Sequence, residues 1–169
     1  DKAFVKDSHD VLDGKAEATG NVVVIGGGMV GMETAEYLAE KGAKVSVLEM
    51  LPDICSDMGT TRKICMGEEI QKSGIIPVTS IKVTEIGDNV VIGEKDGEKV
   101  EFPCDAAVLA IGAKKRDGSA LAETCYKNGI GYFEIGDAAM ARRAINATRE
   151  AMDAALTFDR EDVHRDVSK

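Results

Sequence analysis

The sequence predicts an α/β fold: a Rossmann-like, three-layer parallel sheet carrying an inserted antiparallel β-meander. Three observations predict it. The β-branched run Asn21-Val22-Val23-Val24-Ile25 leads directly into Gly26-Gly27-Gly28-Met29-Val30-Gly31. An apolar pattern of helical period follows, and then a second strand-like run, Val45-Ser46-Val47-Leu48, ends on Glu49. Farther on, short strand-like segments are separated by the turn sequences Gly87-Asp88-Asn89 and Asp96-Gly97.

Taken in order, residues 1–20 are polar and read as irregular, with a short helix around Asp10-Val11-Leu12. An uninterrupted apolar run such as Val22–Ile25 reads as a strand buried on both faces, as parallel sheets require. The next helix is expected over Met29–Lys41, with Val30, Ala35, Leu38 and Ala39 at helical spacing and Gly42 as its stop. Val45–Glu49 is the second strand, 51–58 a loop, and a helix capped by Thr60 or Thr61 runs to Ser73 before Gly74. Ile75–Val78 completes βαβαβ. The meander is expected over Ile81–Ile86, Val90–Glu94 and Lys99–Phe102, because Gly-Asp-Asn and Asp-Gly are hairpin chemistry. Asp105–Gly112 returns as a buried strand. A short helix near Leu121, a strand at Tyr132–Ile135 and a helix over Ile145–Leu156 complete the reading, the last with Thr148, Ala151, Met152 and Ala155 on one face.

Composition limits the partners. The chain has 169 residues and a formal net charge of −9, which disfavours nucleic acid and anionic membranes. No apolar run approaches the ~20 residues of a membrane span. No secretory leader is recognised, so a cytoplasmic location is expected. Cys55, Cys65, Cys104 and Cys125 form neither a CxxC pair nor a zinc knuckle, and read as buried thiols. No metal ligand set or catalytic nucleophile is evident.

The glycine loop carries the chemistry. Gly26 ends the strand and permits the tight turn, Gly28 lets a pyrophosphate approach the backbone, and Gly31 lets the helix pack on the sheet. Phosphates would sit at the helix N-terminus, where unshared N–H groups and the helix dipole favour anions. Glu49, 18 residues past Gly31, is placed to accept hydrogen bonds from the adenosine ribose and to repel a 2′-phosphate. NAD(H) is therefore expected over NADP(H), although Arg62 and Lys63 stand close enough in sequence to allow some NADP(H) tolerance. The residues expected to hold the cofactor are Gly26, Gly27, Gly28, Met29, Val30, Gly31, Glu49 and Met50. Because FAD shares the ADP half, the loop alone leaves NAD(H) and FAD both open. An FAD-binding domain of a small flavoprotein and a non-catalytic nucleotide-binding module remain alternatives.

From Asp10 to Leu156 the chain resembles the NADH-binding domain, and the segment after it, of the two-dinucleotide flavoprotein reductases. It is most similar to the C-terminal region of NADH:flavin oxidoreductases of the dienoyl-CoA reductase and enoate reductase group. Four segments carry the resemblance: the glycine loop with Glu33 two residues past Gly31; Leu109-Ala110-Ile111-Gly112; Gly131-Tyr132-Phe133-Glu134-Ile135-Gly136-Asp137; and Ala147-Thr148-Arg149-Glu150-Ala151. The resemblance implies that Glu33 and Gly112 lie beside the nicotinamide and that Gly136 and Asp137 meet the ribityl chain of a flavin. Glu33 reads equally as an acid of the first helical turn, favoured there by the helix dipole. The chain departs from the pattern at Lys115-Arg116, where the family has Pro-Asn, and at Ala151, where it often has Gly. The resemblance further implies residues 1–20 as a link from an absent FAD half, 21–115 as the NAD(H)-binding domain and 116–169 as the start of the returning FAD-domain segment. The family's main FAD loop and its barrel domain with the iron–sulfur cysteines would lie upstream. The chain begins with Asp1, consistent with a piece of a longer protein. NADH would then pass hydride to FAD or FMN, with an alkene-type acceptor in a separate domain, and the piece alone would not turn over.

Overall fold

The computed structural model describes residues 2–56, 58–115 and 117–157. The chain divides into two compact units at Ile111/Gly112, and each is described by itself.

The first unit is a three-layer α/β structure. Strands β1 (Val5–Asp7), β2 (Asn21–Ile25), β3 (Lys44–Leu48), β4 (Ile76–Val78) and β8 (Ala106–Leu109) form a parallel sheet in the order β1-β8-β2-β3-β4. Strands β5 (Lys82–Ile86), β6 (Val90–Lys95) and β7 (Glu98–Pro103) form the antiparallel meander. Helices α1 (Ser8–Leu12), α2 (Met29–Glu40) and α3 (Thr60–Ser73) supply the third layer.

The period-2 alternation of strand side chains divides the core in two. Val22, Val24, Val45, Val47, Ala106 and Val108 point to the helical side, where Met32, Ala35 and Leu38 of α2 meet them. Val23, Ile25, Leu48 and Ala107 point the other way, against Ile81 and Val91 of the meander region. Val24, Val47 and Val108 are fully buried. Burying one such side chain contributes about 1.5–3 kcal/mol. The meander thus covers the sheet face that helices cover in a doubly wound fold.

Most elements lie where the sequence predicts them, with instructive exceptions. Residues 1–20 are not irregular throughout: Val5–Asp7 joins the sheet beside β8, and Asp7 caps α1 by accepting the His9 N–H at 2.8 Å. In α2 the buried face is Gly31, Met32, Thr34, Ala35 and Leu38, so Val30 lies outside it. Cys55 and Cys104 are buried as expected, whereas Cys65 is exposed and Cys125 half-buried.

The second unit contains α4 (Ser119–Lys127), a 3-10 turn (Gly136–Ala138) and α5 (Ala144–Thr157). The expected strand at Tyr132–Ile135 does not form. A strand needs a second strand beside it, and among its described residues this unit forms α4, the 3-10 turn and α5 but no strand. The expected apolar face of α5 is not packed either: Ala154 is its buried residue, while Met152 is 65% exposed.

Candidate functional site

The chain moves outward from β2 to β3 and β4 and then returns to β8 on the other side of β2. The strand order therefore reverses at β2/β8, and ligands of open α/β sheets bind beyond the carboxyl ends of the strands at such a point. The glycine loop occupies it. Ala110 N–H donates to Ile25 O at 2.8 Å, which keeps the end of β8 against the end of β2.

Each loop glycine has a separate structural cause. Gly26 has φ +109°, and a Cβ there would stand 2.5 Å from Ala110 O. A Cβ on Gly31 would lie 1.9 Å from Gly26 O, so only glycine allows α2 to start this close to the strand. Gly28 differs: a Cβ there meets nothing within 4 Å. It is the N-cap of α2, it has no side-chain cap, and the first helical bond is Met32 N–H to Gly28 O. The N–H groups ahead of Met32 precede the helical ladder and face an open approach, the donor set an anion needs. Met29 and Val30, each a little over one-third exposed, stand in this first turn.

Gly27 was expected only as a loop member, yet it is the hub of the site. Its N–H donates to Glu49 Oε2 at 2.6 Å, and its carbonyl accepts from Cys55 N–H at 2.8 Å. A Cβ on Gly27 would stand 2.9 Å from Glu49 Cβ and 3.0 Å from Ile54 Cγ2. Glu49 Oε1 accepts from Leu51 N–H at 2.7 Å. Glu49 therefore sits at the end of β3 beside the loop, as its sequence position predicts, but both carboxylate oxygens already hold backbone N–H groups. A carboxylate oxygen has two lone-pair sites, so each can still accept a ribose hydroxyl. Met50 follows, 62% exposed.

Glu33 is the fifth residue of α2, beyond the first turn, so a favourable dipole does not account for it. It is exposed, with Oε1 3.8 Å from the Arg62 guanidinium. Burial raises the Glu36 carboxyl above the usual carboxylate range, and the neighbouring charges of Glu69, Glu33 and Glu40 add to it. Among the described residues no cluster of His, Cys, Asp or Glu suits a metal ion.

Gly112, Gly136 and Asp137 belong to the second unit. Gly112 has φ +85° and no contact at its Cβ position. Gly136 is buried with φ +59°, and a Cβ there would lie 3.0 Å from Ala147 Cβ. Glu150, not expected as a site residue, fixes this turn. Its Oε2 accepts the Gly136 N–H at 2.7 Å, and its other oxygen pairs with Arg142. The Gly136 N–H, with Arg142 second, holds the Glu150 carboxyl below the usual range. Asp137 is exposed; its Oδ1 accepts the Arg142 N–H at 3.4 Å, and the carboxylate keeps lone pairs for a ligand hydroxyl. Glu150 lies in the Ala147–Ala151 segment that carries part of the resemblance, but nothing in the local sequence marks it as the partner of Gly136.

Comparison with known proteins agrees with this geometry. The family model of the pyridine nucleotide-disulphide oxidoreductases matches residues 2–151. The chain is 40% identical over 158 residues to an NADH oxidase of Thermoanaerobacter brockii, covering 92% of this chain and 24% of that protein. It is 44% identical over 110 residues to a bilirubin reductase of Mediterraneibacter gnavus, covering 65% of this chain and 17% of that protein. The solved structure of a 2-naphthoyl-CoA reductase superposes with a TM-score of 0.75 at 30% identity, over 88% of this chain and 23% of the other. The chain thus spans a quarter or less of the length of these relatives. No helix among the described residues is long and apolar enough to cross a membrane. NAD(H) and FAD are the cofactors of this family, and the open N-terminus of α2 and the exposed Asp137 are compatible with them. With the match extending over 2–151, the chain belongs to the pyridine nucleotide-disulphide oxidoreductase family.

Proposed function

We propose that this chain is the NADH-binding part of a cytoplasmic, flavin-dependent oxidoreductase of the dienoyl-CoA reductase and enoate reductase group. The observation that carries the reading is the uncapped N-terminus of α2 at Gly28, open to solvent and directly beside the Gly27–Glu49 hydrogen bond. The pyrophosphate of NADH is held by the N–H groups of the first turn of α2, flanked by Met29 and Val30. Glu49 accepts the adenosine ribose hydroxyls, and Met50 covers the adenosine side. Glu33 and Gly112 border the nicotinamide, and Gly136 and Asp137 hold the ribityl chain of the flavin.

When bound, NADH would supply a hydride to reduce the flavin, and the reduced flavin would serve an alkene-type acceptor. The residues of this chain bind and orient the cofactors, and none is required as a nucleophile or general base. Residues 1–20 connect from an FAD half, 21–115 bind NAD(H) and 116–169 begin the return to the FAD domain; the FAD half and a barrel domain are the partners. The 2-naphthoyl-CoA reductase likeness supports an acceptor of activated-alkene or acyl-CoA type. The test is anaerobic mixing of NADH with the full-length flavoprotein. Bleaching of the flavin band that is lost in Gly28→Val is expected; equal bleaching in a folded Gly28→Val protein refutes the assignment.

A further inference from the structure

The connection from β3 to α3 carries charges that ribose recognition leaves unused. Lys63, in the first turn of α3, forms an ion pair with Asp53, and its side chain is only 30% exposed. Arg62 beside it faces Glu33 of α2 at 3.8 Å. Asp53 belongs to the same connection whose Cys55 N–H binds Gly27 O and whose Ile54 abuts Gly27. These pairs are therefore tied to the glycine loop, and the first two cations that follow Glu49 in sequence each face a carboxylate.

We infer that Asp53 is a second determinant of coenzyme choice, holding Lys63 in an ion pair so that no uncompensated cation meets a 2′-phosphate. The inference rests on the NAD(H) reading of the glycine loop. A phosphate monoester brings a charge of about −1.5 to −2 at neutral pH and needs charge-assisted donors. Glu33, Glu49 and Asp53 supply three negative charges against two positive from Arg62 and Lys63, a balance of −1. Glu49 cannot easily turn away, since both its oxygens hold backbone N–H groups. Asp53→Asn keeps the size of the side chain, brings the balance to zero and releases Lys63.

Dissociation constants for NADH and NADPH, measured by fluorescence titration on the whole chain, test this. In Asp53→Asn the ratio Kd(NADPH)/Kd(NADH) is expected to fall about threefold or more, the scale of a solvent-screened charge. The fall should be absent in Asp53→Asn/Lys63→Gln. Lys63→Gln alone, which leaves Asp53 uncompensated, should raise the ratio, and this variant leaves Asp53 untouched should its replacement unfold the loop. An unchanged ratio in Asp53→Asn and Lys63→Gln, or an equal fall in the double variant, overturns the role of Asp53. Wild-type chain that binds no NADH overturns the glycine-loop reading, and this inference with it.

Discussion

Glu49 Oε2 accepts the amide proton of Gly27 at 2.6 Å, so the end of β3 holds the loop that follows β2. With the Leu51 N–H on Oε1 at 2.7 Å, one carboxylate fixes two backbone segments. Glutamine offers a single acceptor oxygen for these two donors. Glu49→Gln is therefore expected to lower stability by about 1–3 kcal/mol, the cost of leaving a donor unpaired, and to weaken NADH binding several-fold. Thermal denaturation and an NADH titration check both. By the same argument Glu49→Ser, intended to admit NADPH, should do so only with a fall in Tm.

Gly28 and Gly31 should separate binding from folding. The space around Gly28 is open, so Gly28→Val is expected to fold normally and to lose at least about tenfold in NADH affinity, about 1.4 kcal/mol. Gly31→Ala drives a Cβ towards Gly26 O and is expected to destabilise the fold by about 1–3 kcal/mol or more. Denaturant midpoints and NADH titrations on both variants give the comparison; a folding defect at Gly28 and none at Gly31 contradicts it.

Glu36 gives the fold a pH dependence of predictable sign. Burial first, and then the Glu69 charge, raise its carboxyl in the folded chain. Its contribution favours the fold below the unfolded-state value and is lost as pH rises through the folded one. Glu36→Gln is expected to raise Tm near neutral pH, with the gain vanishing below about pH 4, where the acid is protonated in both states. A gain of equal size at both pH values would remove Glu36 as its source.

Glu150 should control the Gly136 turn. Its carboxyl is held below the usual range, so its support is present above the unfolded-state value and lost as pH falls through the folded one. Glu150→Ala is expected to speed hydrogen exchange at the Gly136 amide at neutral pH, leaving the amides of β2 and β3 protected. Unchanged exchange at Gly136 contradicts this role.

The parallel sheet was legible because Val22–Ile25 is apolar on both faces, Val45–Leu48 is apolar but for Ser46, and each is followed by an interpretable stop. The glycine loop was legible because steric demand at Gly26 and Gly31 leaves glycine as the one fitting residue. Val5-Lys6-Asp7 was not legible: a short edge strand with two charged residues has no apolar period, and only its pairing with β8 makes it a strand. Tyr132–Ile135 failed in the opposite direction: its residues are strand-like, but the second unit forms no strand among its described residues. Gly27 as hub, Glu150 as brace and the Asp53–Lys63 pair all depend on contacts between distant segments, which spacing along one chain does not encode.

The central claim is that the open N-terminus of α2 binds NADH. Calorimetric titration of the chain with NADH and with NADPH tests it most directly. Saturable one-to-one binding of NADH, weaker binding of NADPH and loss of both in Gly28→Val are predicted. No saturable binding of NADH, or tighter binding of NADPH, would contradict it.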